Sequence, residues 1–235
     1  MNVYFLVEGK STEKKLYPSW LSSLIPQLKR VQFYDDARDN NYYILSASGY
    51  PGIISDSLKL ALQHMNEVQN YQRFVVCLDS DEQSIKEREE AVRKSILEKI
   101  EETKSFKKIE LDIIVQNRCI ETWLLGNKKI FNSRQPASPP LQDYKLYYDV
   151  SNFDPELMGM FNCKNHATFH LEYLQEIFRA KGLTYTKRYP QDAQKTYYLE
   201  QLVARVEDNK SHLKSFKKFL LLCQKIRLEL EQRES

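Results

Sequence analysis

Three acidic residues stand where apolar runs end. Glu8 closes "VYFLVE", and Asp79 and Asp81 follow "FVVCL" in "LDSDE". A carboxylate at the mouth of a buried strand is costly unless a cation, a partner side chain or water satisfies it. Oxygen donors from two adjacent strands suit a hard divalent ion such as Mg²⁺, which takes a few carboxylates and keeps several waters. Side chains alternate along a strand, so Asp79 and Asp81 are expected on one side if the strand continues through both. A cation held there would bind a phosphate oxygen, stabilise charge as a P–O bond breaks and acidify a bound water. Other polar residues fall near the same ends. Lys10 would neutralise Glu8 or reach a phosphate, and Arg118 would contact a phosphate or pair with Glu121.

The elements that must position these groups are legible from periodicity. Val3–Val7 reads as a strand, and Leu16, Tyr17, Trp20, Leu21 and Leu24 repeat at the spacing of one helix face. Ser11 or Thr12 is the expected N-cap, Pro26 marks the end, and Pro18 predicts a kink. Val31–Tyr34 and Tyr42–Ala47 read as strands around the polar "DDARDNN", and an amphipathic helix runs from Ile53 to Met65. Phe74–Leu78 is the most strand-like run of the chain. A charged helix through Ile85, Val92, Ile96 and Ile100 and a strand "IELDIIV" follow. Strand and helix in alternation imply an α/β fold with a mostly parallel sheet flanked by helices, and ligands in such sheets bind at the carboxyl ends of the strands.

The division expected is a catalytic domain over 1–127, an irregular lid or linker over 128–160 and a helical, basic region over 161–235. The linker is rich in proline, serine and tyrosine and has no sustained period. The last region carries 14 Lys and Arg against 9 Asp and Glu, so it is about +5 while the rest of the chain is about −2. Its cations Lys187, Arg188, Lys195, Arg205, Lys210, Lys214, Lys217 and Lys218 are interleaved with Tyr185, Tyr189, Tyr197 and Tyr198, a pattern that would neutralise phosphates and stack on unpaired bases. His166 and His170, four residues apart, are expected to be structural. Cys77, Cys119, Cys163 and Cys223 form no CxxC pair and read as reduced, buried thiols. No apolar run approaches a membrane span, and the expected compartment is the cytoplasm.

"VEGKSTE" followed by "VVCLDSDE" resembles the Toprim fold of topoisomerases, bacterial primases, a small ribosomal-RNA-trimming nuclease and the OLD-type nucleases. In that family a glutamate ends the first strand and a DxD pair ends a later one. On the resemblance Glu8, Asp79 and Asp81 are the ligands of Mg²⁺, or of Mn²⁺, in phosphoryl transfer. The TE pair of "EGKSTE" and the segment "NRCIETWLLGN" are similar to the RloB-like small Toprim proteins of bacterial anti-phage systems. This gives Glu13 and Glu121 a role beside the metal or as ligands of a second one. The resemblance implies a nuclease acting on DNA or RNA and held by a partner ATPase or sensor, since the chain has no GxxxxGK[ST] of its own. It covers about residues 1–127 and leaves the oligomeric state open, a homo-oligomer included. A non-catalytic protein-binding module and a primase-like nucleotidyl transferase are the alternatives.

Overall fold

The computed structural model describes residues 1–103, 109–130 and 137–234. Five strands, β1 (Val3–Glu8), β2 (Lys29–Arg30), β3 (Asn41–Ala47), β4 (Arg73–Asp79) and β5 (Glu110–Gln116), form one sheet in the order β2-β3-β1-β4-β5. Every pairing is parallel, with Glu8 opposite Ala47 and Asp79 opposite Gln116. All carboxyl ends therefore lie along one edge.

Alternation along β1 splits its side chains between two cores. Val3, Phe5 and Val7 face a layer containing α1 (Glu13–Leu24), while Tyr4 and Leu6 face α2 (Asp56–Val68) and α3 (Ile85–Thr103). Because both faces are covered, β1 and β4 are apolar at nearly every position rather than alternating with polar residues. The chain leaves β1 for one face and leaves β3 and β4 for the other. The change of direction thus falls at the end of β1, at Glu8, the position where ligands bind in open parallel sheets.

The core on the α1 side is completed from the rear of the chain by α6 (His166–Ala180), α7 (Thr196–Asp208) and α8 (Lys214–Glu234). Trp20 and Trp123 are fully buried there, packed against Phe216 and Phe219 of α8. Arg73 of β4 fastens α8 to the sheet. Its buried guanidinium donates to Asp112 and Glu110 at 2.5 Å and to Glu229 at 2.8 Å.

Three local expectations change. The strand expected over Val31–Tyr34 is replaced by the two-residue β2 and a 3₁₀ turn at Tyr34–Asp36, where Phe33 is left largely exposed. The segment expected to be irregular over 128–160 carries α5 (Leu141–Tyr147) and two 3₁₀ turns, and buries Ile130, Leu141, Tyr144, Val150 and Met158; residues 131–136 lie outside the described residues. Too few apolar positions recur for a period to show, yet each has a place in the core. Cys163 is exposed, while the other three cysteines are buried thiols as expected.

Candidate carboxylate site

Glu8 ends β1, and its carboxylate bridges two loops. Oε1 accepts the Tyr50 N–H beyond β3, and Oε2 accepts the Asp79 N–H at the end of β4, both at 3.0 Å. The sheet register makes this bridge, since β1 lies between β3 and β4. Burial raises the Glu8 pKa; the two N–H bonds oppose the rise without cancelling it.

Glu13, in the first turn of α1, folds back over Gly9. Gly9 has φ +97°, and a Cβ there would lie 2.0 Å from Glu13 Oε2, so both the backbone and the space demand glycine. Burial pushes the Glu13 carboxyl up to about 8, Glu121 adds to the rise, and Lys187 works against it. Thr12 caps no amide of α1. Its hydroxyl donates to the Lys187 carbonyl at 2.8 Å and ties the helix start to the strap between α6 and α7.

Asp79 is the residue most crowded by charge. Burial raises its pKa well above the ordinary carboxylate range, with Glu8, Glu13, Glu121 and Asp81 adding to the rise. Its Oδ1 is buried and accepts no hydrogen bond from the described protein groups.

Glu121 is fully buried on α4 (Ile120–Leu124). Its Oε1 accepts the Tyr185 hydroxyl at 3.0 Å, its Oε2 accepts no hydrogen bond, and the nearest cation is Lys187 Nζ, 3.9 Å from Oε2. The rear helices hold α4 in place. Trp123 Nε1 donates to Ser215 Oγ at 2.6 Å, and Thr122 Oγ1 lies 2.7 Å from His170 Nδ1. Glu8, Glu13, Asp79 and Glu121 thus lie near enough for their charges to act on one another, with Lys187 as the counter-charge. The Lys187 pKa is raised, first by Glu121 and then against its own desolvation.

Asp81 departs from the alternation argument. The strand ends at Asp79, and Asp81 takes a left-handed conformation at φ +51°, so the two side chains are not placed by a common pleat. Asp81 Oδ2 accepts Arg88 Nη2 at 3.1 Å. Arg88 is buried, also donates to the Ser80 carbonyl, and lies over the Tyr50 ring with its guanidinium carbon 3.7 Å from the centroid. Sequence reasoning missed Arg88; its only signal is a cation in the first turn of α3, seven residues after Asp81.

Arg118 pairs with neither a free site nor Glu121. It is left-handed at φ +68°, its N–H donates to Ser80 Oγ, its Nη1 donates to the Asp81 carbonyl at 3.1 Å, and Glu82 is 3.9 Å away. Glu82 also accepts the His166 N–H at 3.1 Å and lies 2.5 Å from its Nδ1, joining α6 to the loop after β4. Lys10 is exposed, and Arg188 is exposed beside it on a common hollow.

The expected basic and aromatic surface of the rear is divided. Arg205 is interior, donating to the Val150 and Phe153 carbonyls, and Tyr185 and Tyr198 are core residues. Lys195 pairs with Asp192, and Lys218 with Glu89. Tyr189 and Tyr197 remain exposed.

Among the described residues, no three carboxylate, imidazole or thiolate groups are arranged as a ready metal cage. The donor set nevertheless fits Mg²⁺, which needs one or two carboxylates beside water and substrate oxygens. Asp79 Oδ1 and Glu121 Oε2 are buried oxygens without hydrogen-bond donors, and the thiol near them, Cys119, is buried, its pKa pushed up by burial and by Glu121 and Asp79. No protein-family model, curated protein or solved structure matches the chain. Among the described residues no helix is long and apolar enough to cross a membrane.

Proposed function

We propose that the chain is a Mg²⁺-dependent nuclease of the Toprim type that hydrolyses phosphodiester bonds in DNA or RNA. The observation that carries the reading is Asp79 Oδ1, buried and without a hydrogen-bond donor among four further carboxylates at the switch point of a parallel sheet. Crowded carboxylates repel one another, and a divalent cation is the ligand that turns this repulsion into attraction.

Asp79 and Glu8 would hold the ion, with Asp81 joining if Arg88 releases it. The ion supplies positive charge to the phosphate and lowers the pKa of water. Glu8 fixes the spacing of the two loops through its amide bonds. Glu13, protonated near neutrality when the site holds no cation, is placed to carry a proton. Lys187 offsets the charge of Glu121 and keeps the buried side of the site from expelling an anionic substrate. An anti-phage role under a partner ATPase belongs to the same proposal, supported by the resemblance of the motifs.

The test is cleavage of labelled DNA and RNA with Mg²⁺ or Mn²⁺, using Asp79→Asn and Glu8→Gln as controls. Metal-dependent products that vanish in both variants support the reading, and products that survive in both remove these residues from the chemistry. The Arg88–Asp81 pair favours a second reading, a non-catalytic module in which arginine already neutralises one acidic residue. That protein would show no metal-dependent rise in melting temperature.

A further inference from the structure

Beside the carboxylates lies a hollow of about 410 Å³ lined by Lys10, Ser11, Lys14, Lys15, Arg30 and Arg188. Its size falls within the range of about 300–1,000 Å³ typical of ligand pockets. Five of its six lining residues are cations, and none is a carboxylate. They come from three separate stretches of sequence that the fold brings together: the turn into α1, the carboxyl end of β2, and the strap between α6 and α7.

The arrangement is built rather than loose. Lys15 Nζ donates to the Arg188 carbonyl at 2.5 Å, Thr12 Oγ1 donates to the Lys187 carbonyl, and a bridge between Thr186 and Tyr189 closes the strap. Among the described residues no carboxylate pairs with Lys10, Lys14, Arg30 or Arg188. Gathering such charges costs self-repulsion that a bound polyanion offsets.

Two lining residues are near neighbours in sequence of the carboxylate group. Lys10 follows Glu8 by two residues, and Arg188 follows Lys187, the cation facing Glu121. At its edge the Tyr189 ring is 54% exposed, with Lys15 Nζ 4.9 Å and the Arg188 guanidinium carbon 5.7 Å from its centroid. An exposed ring held among cations stacks on an unpaired base, whereas a duplex hides its base faces.

We propose that this hollow is the phosphate subsite for single-stranded nucleic acid, with Tyr189 as the stacking platform for one base. The choice of nucleic acid as the polyanion rests on the nuclease reading above; the charge and shape of the hollow do not.

The test is anisotropy of a labelled oligothymidine strand and of a labelled duplex hairpin, with the full chain in EDTA so that no cleavage intervenes. The variants are Lys14→Ala combined with Arg30→Ala, Tyr189→Ala, Tyr189→Phe and Asp79→Asn. The double variant is expected to weaken single-strand binding about ten-fold and to reduce the slope of log K against log salt by about 1.4, since each neutralised phosphate contributes about 0.7 for a single strand. Tyr189→Ala is expected to weaken the strand about ten-fold without affecting the hairpin, and Tyr189→Phe to bind as the parent does. Parent-like affinity of the double variant, or equal loss of strand and hairpin in Tyr189→Ala, overturns the assignment. If Asp79→Asn and the parent both bind the strand but the parent cleaves neither DNA nor RNA with Mg²⁺ or Mn²⁺, the nuclease reading fails and the subsite stands. If the parent cleaves and the pocket variants bind normally, the subsite alone fails.

Discussion

Crowding of carboxylates makes stability depend on pH in a direction opposite to that of an ordinary salt-bridged protein. The perturbation is Glu13→Gln in the metal-free chain. The Glu13 carboxyl is raised by burial and by Glu121 from 4.5 to about 8, a span of about 3.5 pH units. Between those values the folded chain holds a proton that the unfolded chain has released, so stability falls as pH rises through the window and is fully present below it. At about 1.4 kcal/mol per pH unit the whole span is worth at most about 5 kcal/mol. His170, buried and lowered to about 3, acts in the opposite sense, its stabilisation being lost as pH falls below the ordinary value of 6.5. The comparison therefore belongs from pH 6.5 upward, where His170 is neutral in the folded chain and at most half protonated in the unfolded one. From there to the Glu13 midpoint about 1.5 pH units remain, or about 2 kcal/mol. For a chain of this size that is about 4–8 °C of melting temperature. Thermal unfolding in EDTA at pH 6.5 and pH 8.5 is the assay. The parent is expected to lose this much, and Glu13→Gln to be flatter by most of it and the more stable at the higher pH. Equal slopes for the two proteins would show that Glu13 is not held protonated by its surroundings and would remove the electrostatic basis of the site.

Other perturbations act on the same group. Asp79→Asn removes a carboxyl whose ionisation burial and four other carboxylates oppose, and is expected to raise the melting temperature at pH 8.5 in EDTA while abolishing the rise that Mg²⁺ gives the parent, both read by thermal shift. Gly9→Ala places a methyl group against Glu13 at a positive φ and is expected to cost about 1–3 kcal/mol in urea unfolding, with part of the loss recovered by combining it with Glu13→Ala. Arg88→Met keeps a buried stem over Tyr50 but frees Asp81; tighter Mg²⁺ binding by calorimetry is expected if Asp81 can serve the ion, and unchanged binding excludes it.

Much of the fold was legible because the central strands are buried on both faces. Runs such as Val3–Val7 and Phe74–Leu78 have no polar position to spare, and the helices between them show one apolar stripe each. Glu8 and Asp79 could be singled out because each breaks such a run at its carboxyl end. The two-residue β2 was not readable, since its pairing with β3 involves only Lys29 and Arg30, both exposed and without a pattern.

The sequence by itself therefore determined an alternating α/β chain and the acidic residues at its strand ends, because periodicity and interrupted apolar runs are local properties. Tertiary structure alone decided which groups meet. The register of β1 between β3 and β4 sets the two amides that Glu8 bridges, and the left-handed turn at Asp81 hands that carboxylate to Arg88. The rear helices bring Lys187 and Tyr185 to Glu121 from more than sixty residues away. Electrostatic coupling falls off with distance in space and not along the chain, so the charge state of this site is a property only the folded protein has.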